Sequence, residues 1–104
     1  LVFDADTTPQ AGVTDPTGAA GPNHYIAAWN FGFRIFDKNG TPLTNEASLA
    51  TIFPGNAIGD PIVLYDSNAD RFIITEFDNS PNGFNFAISQ GPDPVNDGWY
   101  VYDT

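Results

Sequence analysis

Gly59-Asp60-Pro61-Ile62-Val63-Leu64-Tyr65-Asp66, which runs on to Ala69-Asp70-Arg71-Phe72, is the stretch that decides the fold of this chain. Glycine and proline restrict the backbone just before an apolar run, and this order predicts a turn followed by strands. A similar phrase stands earlier, Asp15-Pro16-Thr17-Gly18-Ala19-Ala20-Gly21-Pro22-Asn23-His24-Tyr25, again directly before an apolar run. The two phrases predict that a sheet begins at each place.

The second half of the chain predicts a four-stranded meander. Apolar alternation marks strands over 62–65, 72–77, 84–89 and 99–102, and residues typical of turns fill the connections between them. The strand 72–77 carries apolar groups on both faces near its start, which is typical of a strand that lies between two layers.

The first half predicts a less complete version of the same unit. Strands over 25–29 and 33–36 are joined by a three-residue hairpin connection, Asn30-Phe31-Gly32, and Asn39-Gly40 turns the chain again. The stretch 44–53 fits at most a short helix capped by Asn45, with Leu49, Ile52 and Phe53 on one face. A further short strand is predicted over 2–4.

The predicted fold class is therefore all-β with little helix. It consists of about two blade-like antiparallel four-stranded meanders, or a small β-sandwich, over residues 13–104, preceded by an N-terminal arm or donated strand over residues 1–12. A propeller blade takes about 40–50 residues and a closed propeller needs about 4–8 blades, so two blades cannot close. The open faces must be covered by other copies, by the remainder of a longer chain, or by each other.

The same phrases carry a resemblance to secreted bacterial β-propeller-like surface proteins. The resemblance covers most of residues 13–102 and rests, besides the two phrases, on Phe36-Asp37-Lys38-Asn39-Gly40, Ala87-Ile88-Ser89, Pro92-Asp93-Pro94 and Trp99-Tyr100. The stretch between Leu49 and Gly59 is shorter than that family leads us to expect, and no further blades follow. The resemblance implies an extracellular, all-β module and no particular activity.

Composition excludes several classes of partner and chemistry. The formal net charge of −10 is the wrong sign for binding nucleic acid or an anionic membrane surface. The chain has no cysteine, so it has neither disulfides nor thiol chemistry, and no apolar run is long enough to span a membrane. Its first residues suggest a chain that begins within a protein, after removal of a signal peptide or as a segment. The aromatic residues are expected to be mostly core.

One candidate metal site stands out in the acidic turns. Asp66, Asn68 and Asp70 have the alternate-oxygen spacing of a Ca²⁺ loop, which backbone carbonyls or Asp60 could complete. The alternative is that Asp66 and Asn68 form Asx-turns while Asp70 pairs with Arg71. A second acidic group, Asp4 and Asp6 with Asp15, is a weaker metal candidate because such pairs are usually solvated.

The remaining polar signals are weak. His24 is the only histidine and is expected to bond a loop carbonyl, and no serine or threonine lies in a nucleophile elbow. Asn39-Gly40-Thr41 is an N-glycosylation sequon in a hairpin tip, followed by Pro42. An exposed Trp99-Tyr100 pair could bind sugar.

Two functional hypotheses follow from these patterns. The first is a non-enzymatic, extracellular structural module that self-assembles with identical subunits into a fibre or surface layer through shared β-strands and sheet faces. The apolar segment Leu1-Val2-Phe3 would be the donated strand. The alternative is the N-terminal part of a carbohydrate-binding or carbohydrate-processing β-propeller, with glycans as partners.

Overall fold

The computed structural model describes residues 17–30, 32–53, 60–78 and 83–103, and 57% of them lie in strands and 4% in a 3-10 helix. This confirms the all-β fold class. The strands are β1 (Thr17–Ala20), β2 (His24–Trp29), β3 (Gly32–Asp37), β4 (Ala47–Ser48), β5 (Ile62–Asp66), β6 (Arg71–Asp78), β7 (Gly83–Ser89) and β8 (Trp99–Asp103), and the helix is Leu49–Thr51. The predicted strand over 2–4 lies outside the described residues.

The strands form two antiparallel sheets of the same design. Sheet 1 has the order β1-β2-β3-β4 and sheet 2 the order β5-β6-β7-β8, so every strand pairs with its neighbour in sequence. This is the meander arrangement of a propeller blade, which is also built from four antiparallel strands. The meander predicted for the second half is confirmed, with strand bounds that differ by one residue at several ends.

The first sheet differs from its prediction in four places. Ala47–Ser48 forms β4 within the stretch that the sequence predicts as a short helix or a loop. Thr17–Ala20 forms β1 within the phrase that was expected to be a turn, and Gly18 pairs there with Ala27. Trp29 pairs with Gly32, so the β2–β3 connection has two residues instead of three. The cap of the short helix is Ser48 and not Asn45, because the Ser48 hydroxyl accepts the N–H of Ala50 (3.1 Å).

The main core lies between the inner faces of the two sheets. Sheet 1 contributes Ile26, Ala28, Phe33 and Ile35, sheet 2 contributes Val63, Phe72, Ile74 and Ala87, and the helix segment contributes Leu49, Ile52 and Phe53. The last three share one buried face, as the sequence predicts. Because apolar groups from three parts of the chain fill one interior, the two sheets stabilise each other.

The two sheets approach each other most closely along one side. Contacts between them concentrate on β5 against β1 and β2, where the N–H of Val63 donates to Thr17 Oγ1 (3.5 Å). At the far side, Val101 of β8 points inward but is still 45% exposed. The sheets therefore diverge towards β8, as neighbouring propeller blades diverge from their inner strands.

The outer face of sheet 1, defined by Tyr25, Ala27, Trp29, Arg34 and Phe36, is largely buried. Trp29 is 4% exposed and Phe36 is 2% exposed, and both cluster with Ala27 and Tyr25. The indole of Trp29 lies across Gly32, where an added Cβ would stand 2.7 Å from Trp29 Nε1. Glycine in β3 thus makes room for a large side chain of β2 on the same face.

No helix in the described parts of the chain is long and apolar enough to cross a membrane.

Candidate interaction surface

Sheet 2 presents an apolar outer face that is largely exposed. Alternation along each strand places Asn85, Ala87 and Ser89 of β7 on the buried inner side, so the larger apolar residues of β7 point outward. The outer face of sheet 2 is defined by Ile62, Leu64, Ile73, Thr75, Phe77, Phe84, Phe86, Ile88, Tyr100 and Tyr102.

Six large side chains of this face are exposed by 41–53%. They are Ile62, Leu64, Phe77, Phe84, Tyr100 and Tyr102. An aromatic side chain offers roughly 150–250 Å², so six residues exposed by half present on the order of 600 Å² of mostly apolar surface. This area lies at the upper end of the range of about 300–600 Å² that is usual for the largest apolar patch of a monomer, and such patches are often functional.

Aromatic pairs order the surface across strands. The rings of Phe77 and Phe84 stack with centroids 5.2 Å apart and an interplanar angle of 24°. Those of Phe86 and Tyr102 stack at 5.1 Å and 25°. Cross-strand stacking restricts the rings, so the side chains of this face are already arranged in the free chain.

The expectation that aromatic residues are mostly core is wrong for sheet 2. Phe77, Phe84, Tyr100 and Tyr102 are about half exposed. The signal that sequence reasoning missed is the alternation of β7, in which Phe84, Phe86 and Ile88 share one side, while the opposite side is small or polar. That pattern shows that the two sides differ, but it does not show which one faces the core.

Turns that hold Asp37, Asp66, Asp70 and Asp93 lie together at one end of the sheets. A meander places the β1–β2 and β3–β4 connections at one end of sheet 1, and the β5–β6 and β7–β8 connections at one end of sheet 2. His24, at the start of β2, approaches Asp93 of the β7–β8 connection (Nε2 to Oδ1, 3.5 Å). Lys38 Nζ donates to the carbonyl of Gly21 (2.8 Å). We call this region the loop end.

Within the predicted Ca²⁺ loop, Asp66 builds the turn. Its Oδ1 accepts the N–H groups of Asn68 (2.9 Å) and Ala69 (3.3 Å), which is the Asx-turn of the alternative interpretation. Arg71 Nη1 donates to the carbonyls of Ala69 and Asp70, at 3.1 and 2.9 Å. These hydrogen bonds hold the turn together from within the chain.

Asp70 also has a partner within sheet 2. The Tyr65 hydroxyl donates to Asp70 Oδ1 (2.5 Å), and the backbone of Asp70 has a positive φ of 56°. This hydrogen bond, partial desolvation and the negative charges of Asp70 and Asp66 raise the pKa of Tyr65. A carboxylate that accepts a phenol keeps a second oxygen for another ligand.

Asp60 lies away from this turn. It precedes β5, whereas Asp66 ends it, and the N–H of Asp60 donates to Asn30 Oδ1 (2.9 Å) at the other end of the sheets. Six residues of extended chain span about 20 Å. The structure thus brings Asp66, Asn68 and Asp70 into one turn and does not bring Asp60 to them. Among the described residues, no three His, Cys, Asp or Glu side chains group where they could hold a metal ion.

Asp93 organises the β7–β8 connection. Its oxygens accept the Asn96 side chain (2.9 Å) and the N–H groups of Val95 and Asn96. The bond from the Asn96 side chain, with smaller contributions from the two N–H groups and His24, lowers the pKa of Asp93 despite slight desolvation. His24 therefore faces a loop carboxylate of sheet 2, where the sequence suggested a carbonyl.

The other predicted site residues fall in three places. Asn39 is exposed at the tip of the β3–β4 turn, where its N–H donates to Asp37 Oδ1 (2.9 Å). Trp99 is half-buried against the core and Tyr100 is exposed, because consecutive strand residues point to opposite faces, so the pair does not form one sugar platform. Asp4, Asp6, Asp15 and the segment Leu1-Val2-Phe3 lie outside the described residues.

Comparison of the chain with protein-family models, curated proteins and solved structures found no match.

Proposed function

We propose that this chain is a non-enzymatic structural module that assembles with identical subunits by packing the outer face of sheet 2 against another β-sheet. The observation that carries the proposal is the exposure of six large apolar side chains on this one face. An extracellular location is part of the proposal and is supported by the resemblance to secreted surface proteins.

The size of the face suits a stable contact. A standard protein interface buries about 800 Å² on each partner. The exposed side chains supply on the order of 600 Å² of this, and half-buried neighbours such as Phe86 and Ile88 add to it. Aliphatic Ile62 and Leu64 lie on the same face as the aromatic rings, a mixture that resembles the packing of one β-sheet on another.

Strand sharing is the second contact of the proposed assembly. β8 is the last strand of sheet 2, and among the described residues no strand pairs with its free edge. An open edge accepts an extended segment through main-chain hydrogen bonds. We propose Leu1-Val2-Phe3 of a neighbouring subunit as that segment, which would extend paired subunits into a fibre or layer.

Light scattering after size-exclusion chromatography tests the proposal. The wild-type chain should assemble at micromolar concentration, whereas Phe84→Asp should be mainly monomeric, because burying an unpaired carboxylate in an apolar contact is costly. Ser67→Asp, a substitution in the exposed β5–β6 turn, adds the same charge away from the face and should assemble like wild type. A wild-type chain that stays monomeric up to several hundred micromolar would refute the proposal.

Carbohydrate binding is the second candidate. The exposed rings of Tyr100 and Tyr102 favour it, since aromatic faces stack on sugars and their hydroxyls offer hydrogen bonds. A monomer that co-sediments with insoluble polysaccharide, and loses this property in Tyr102→Ala, would establish it instead of self-assembly.

The proposal also includes a bound ion and a glycan at the loop end. Asp66, Asn68 and Asp70 would bind Ca²⁺ with backbone carbonyls, and the exposed Asn39 would carry a glycan clear of both sheet faces. Intact-mass measurement of secreted protein, with Thr41→Ala as the control that removes the sequon, tests the glycan directly.

A further inference from the structure

We infer that the outer face of sheet 2 pairs with the same face of a second copy of this chain, so that this contact closes a two-fold symmetric dimer. The inference rests on the proposed function and deepens it by naming the partner surface. Head-to-tail stacking would place the outer face of sheet 2 on the outer face of sheet 1 and build a closed ring or an open filament. The symmetric dimer uses only the outer face of sheet 2, whereas the head-to-tail stack uses the outer faces of both sheets.

The burial of sheet 1 argues against head-to-tail stacking. Its large outer-face side chains, Trp29 and Phe36, are 4% and 2% exposed, so they offer little apolar surface to a neighbour. The large hydrophobic residues that are exposed in the described parts of the chain are Leu43, Ile62, Leu64, Phe77, Phe84, Tyr100, Val101 and Tyr102. All but Leu43 and Val101 belong to the outer face of sheet 2. The matching apolar surface on a second subunit is therefore the same face.

Charge also favours this pairing. Each subunit carries a formal net charge of −10, so most ways of bringing two copies together oppose negative surfaces. Among the described residues, the outer side of sheet 2 carries charge only at its border, where Asp66 and Arg71 are direct cross-strand partners of opposite sign. Two copies can therefore pack their outer faces of sheet 2 together with few like charges in contact. Because the remaining repulsion is between exposed groups, added salt should strengthen the dimer.

The two-fold axis determines which residues meet. β6 and β7 are the middle strands of sheet 2, and Thr75 and Phe86 are cross-strand partners near the centre of the face. Two sheets packed face to face lie about 10 Å apart. In a symmetric dimer a central residue therefore lies near its own copy, whereas in a head-to-tail stack it faces sheet 1.

Cross-linking through a single introduced thiol separates the two arrangements. The chain has no cysteine, so Thr75→Cys creates a unique thiol at the centre of the face and Ser67→Cys creates one in the exposed β5–β6 turn. A short bismaleimide, whose reach is on the order of the sheet spacing, should link most of the Thr75→Cys chains into covalent dimers on a denaturing gel. Ser67→Cys should give only the small amount expected from collisions.

The outcomes separate failure of the two-fold contact from failure of the proposed self-assembly. A dimer band far stronger than that of Ser67→Cys, and abolished by adding Phe84→Asp to Thr75→Cys, supports the symmetric contact even within a longer fibre. Assembled protein in which Thr75→Cys links no better than Ser67→Cys overturns the two-fold contact and leaves self-assembly standing. Protein that is monomeric by light scattering and unlinked overturns both.

Discussion

The two sheets share strand order and connectivity but differ in their outer faces. In sheet 1 the large residues Trp29 and Phe36 are buried, whereas in sheet 2 Phe84 and Tyr102 are about half exposed. The inner faces differ as well, because β7 turns Asn85, Ala87 and Ser89 towards the core, where Leu49 and Phe53 supply volume from the helix segment. Two sheets of one design therefore differ in burial: the large outer-face residues of sheet 1 are covered, whereas those of sheet 2 stay exposed, which is the surface that the proposed assembly uses.

The largest effect should come from truncating a core residue of sheet 2, and the comparison is the same truncation on its outer face. Phe72→Ala removes a ring that is 1% exposed and packs on Tyr65 (centroids 5.1 Å apart), and should cost about 3–5 kcal/mol of unfolding free energy. Phe84→Ala on the outer face should cost less than about 1 kcal/mol in dilute solution. Urea unfolding at submicromolar concentration measures both, and equal losses would contradict the division into inner and outer faces.

Calcium should stabilise sheet 2 through its β5–β6 turn. At a hundredfold excess over Kd, the bound ion should add about 2.7 kcal/mol to the unfolding free energy. Chelation should lower the Tm of wild type and leave Asp66→Ala unchanged.

Asp37→Ala is the matched control in sheet 1. Asp37 Oδ1 also accepts two backbone N–H groups, from Asn39 and Thr41, at 2.9 Å each. This variant loses a similar Asx-turn and should keep its response to chelator. A wild-type melting curve that chelation does not move would remove Ca²⁺ from the proposal.

A methyl group under Trp29 should disturb the buried outer face of sheet 1. Gly32→Ala places a Cβ 2.7 Å from Trp29 Nε1 and 2.9 Å from Cε2, so the buried indole must move, at about 1–3 kcal/mol. Asn45→Ala, a substitution at an exposed position of the β3–β4 connection, is the control in the same half of the chain. Tryptophan fluorescence should shift for Gly32→Ala and stay near wild type for Asn45→Ala.

The smallest effect concerns the link between the sheets at the loop end. Asp93→Ala removes hydrogen bonds from Val95 and Asn96 and the approach to His24, and should cost about 1 kcal/mol at neutral pH. The folded-state pKa of Asp93 is lowered from 3.8, so its stabilisation is present above that value and is lost as the pH falls through the folded pKa. Wild type and Asp93→Ala should therefore converge in stability in acid; a difference that stays constant throughout an acid titration would show that the ionised carboxylate is not the cause.

Local chemistry in the sequence determined much of the fold. Glycine and proline before apolar runs, together with period-two alternation, predicted the strands of sheet 2, because turn residues and strand periodicity act over a few residues. The clustering of Leu49, Ile52 and Phe53 followed in the same way from one local periodicity. The Asx-turn of Asp66 was one of the two interpretations that the sequence allowed.

Tertiary structure alone decided what each face does. The sequence of β7 separates Phe84, Phe86 and Ile88 from Asn85, Ala87 and Ser89, but the core takes the smaller set because other segments already fill the interior volume. It also decided that β1 forms at Thr17–Ala20, where glycine leaves space for the ring of Tyr25. Such outcomes depend on contacts between residues far apart in the chain, and no local pattern contains them.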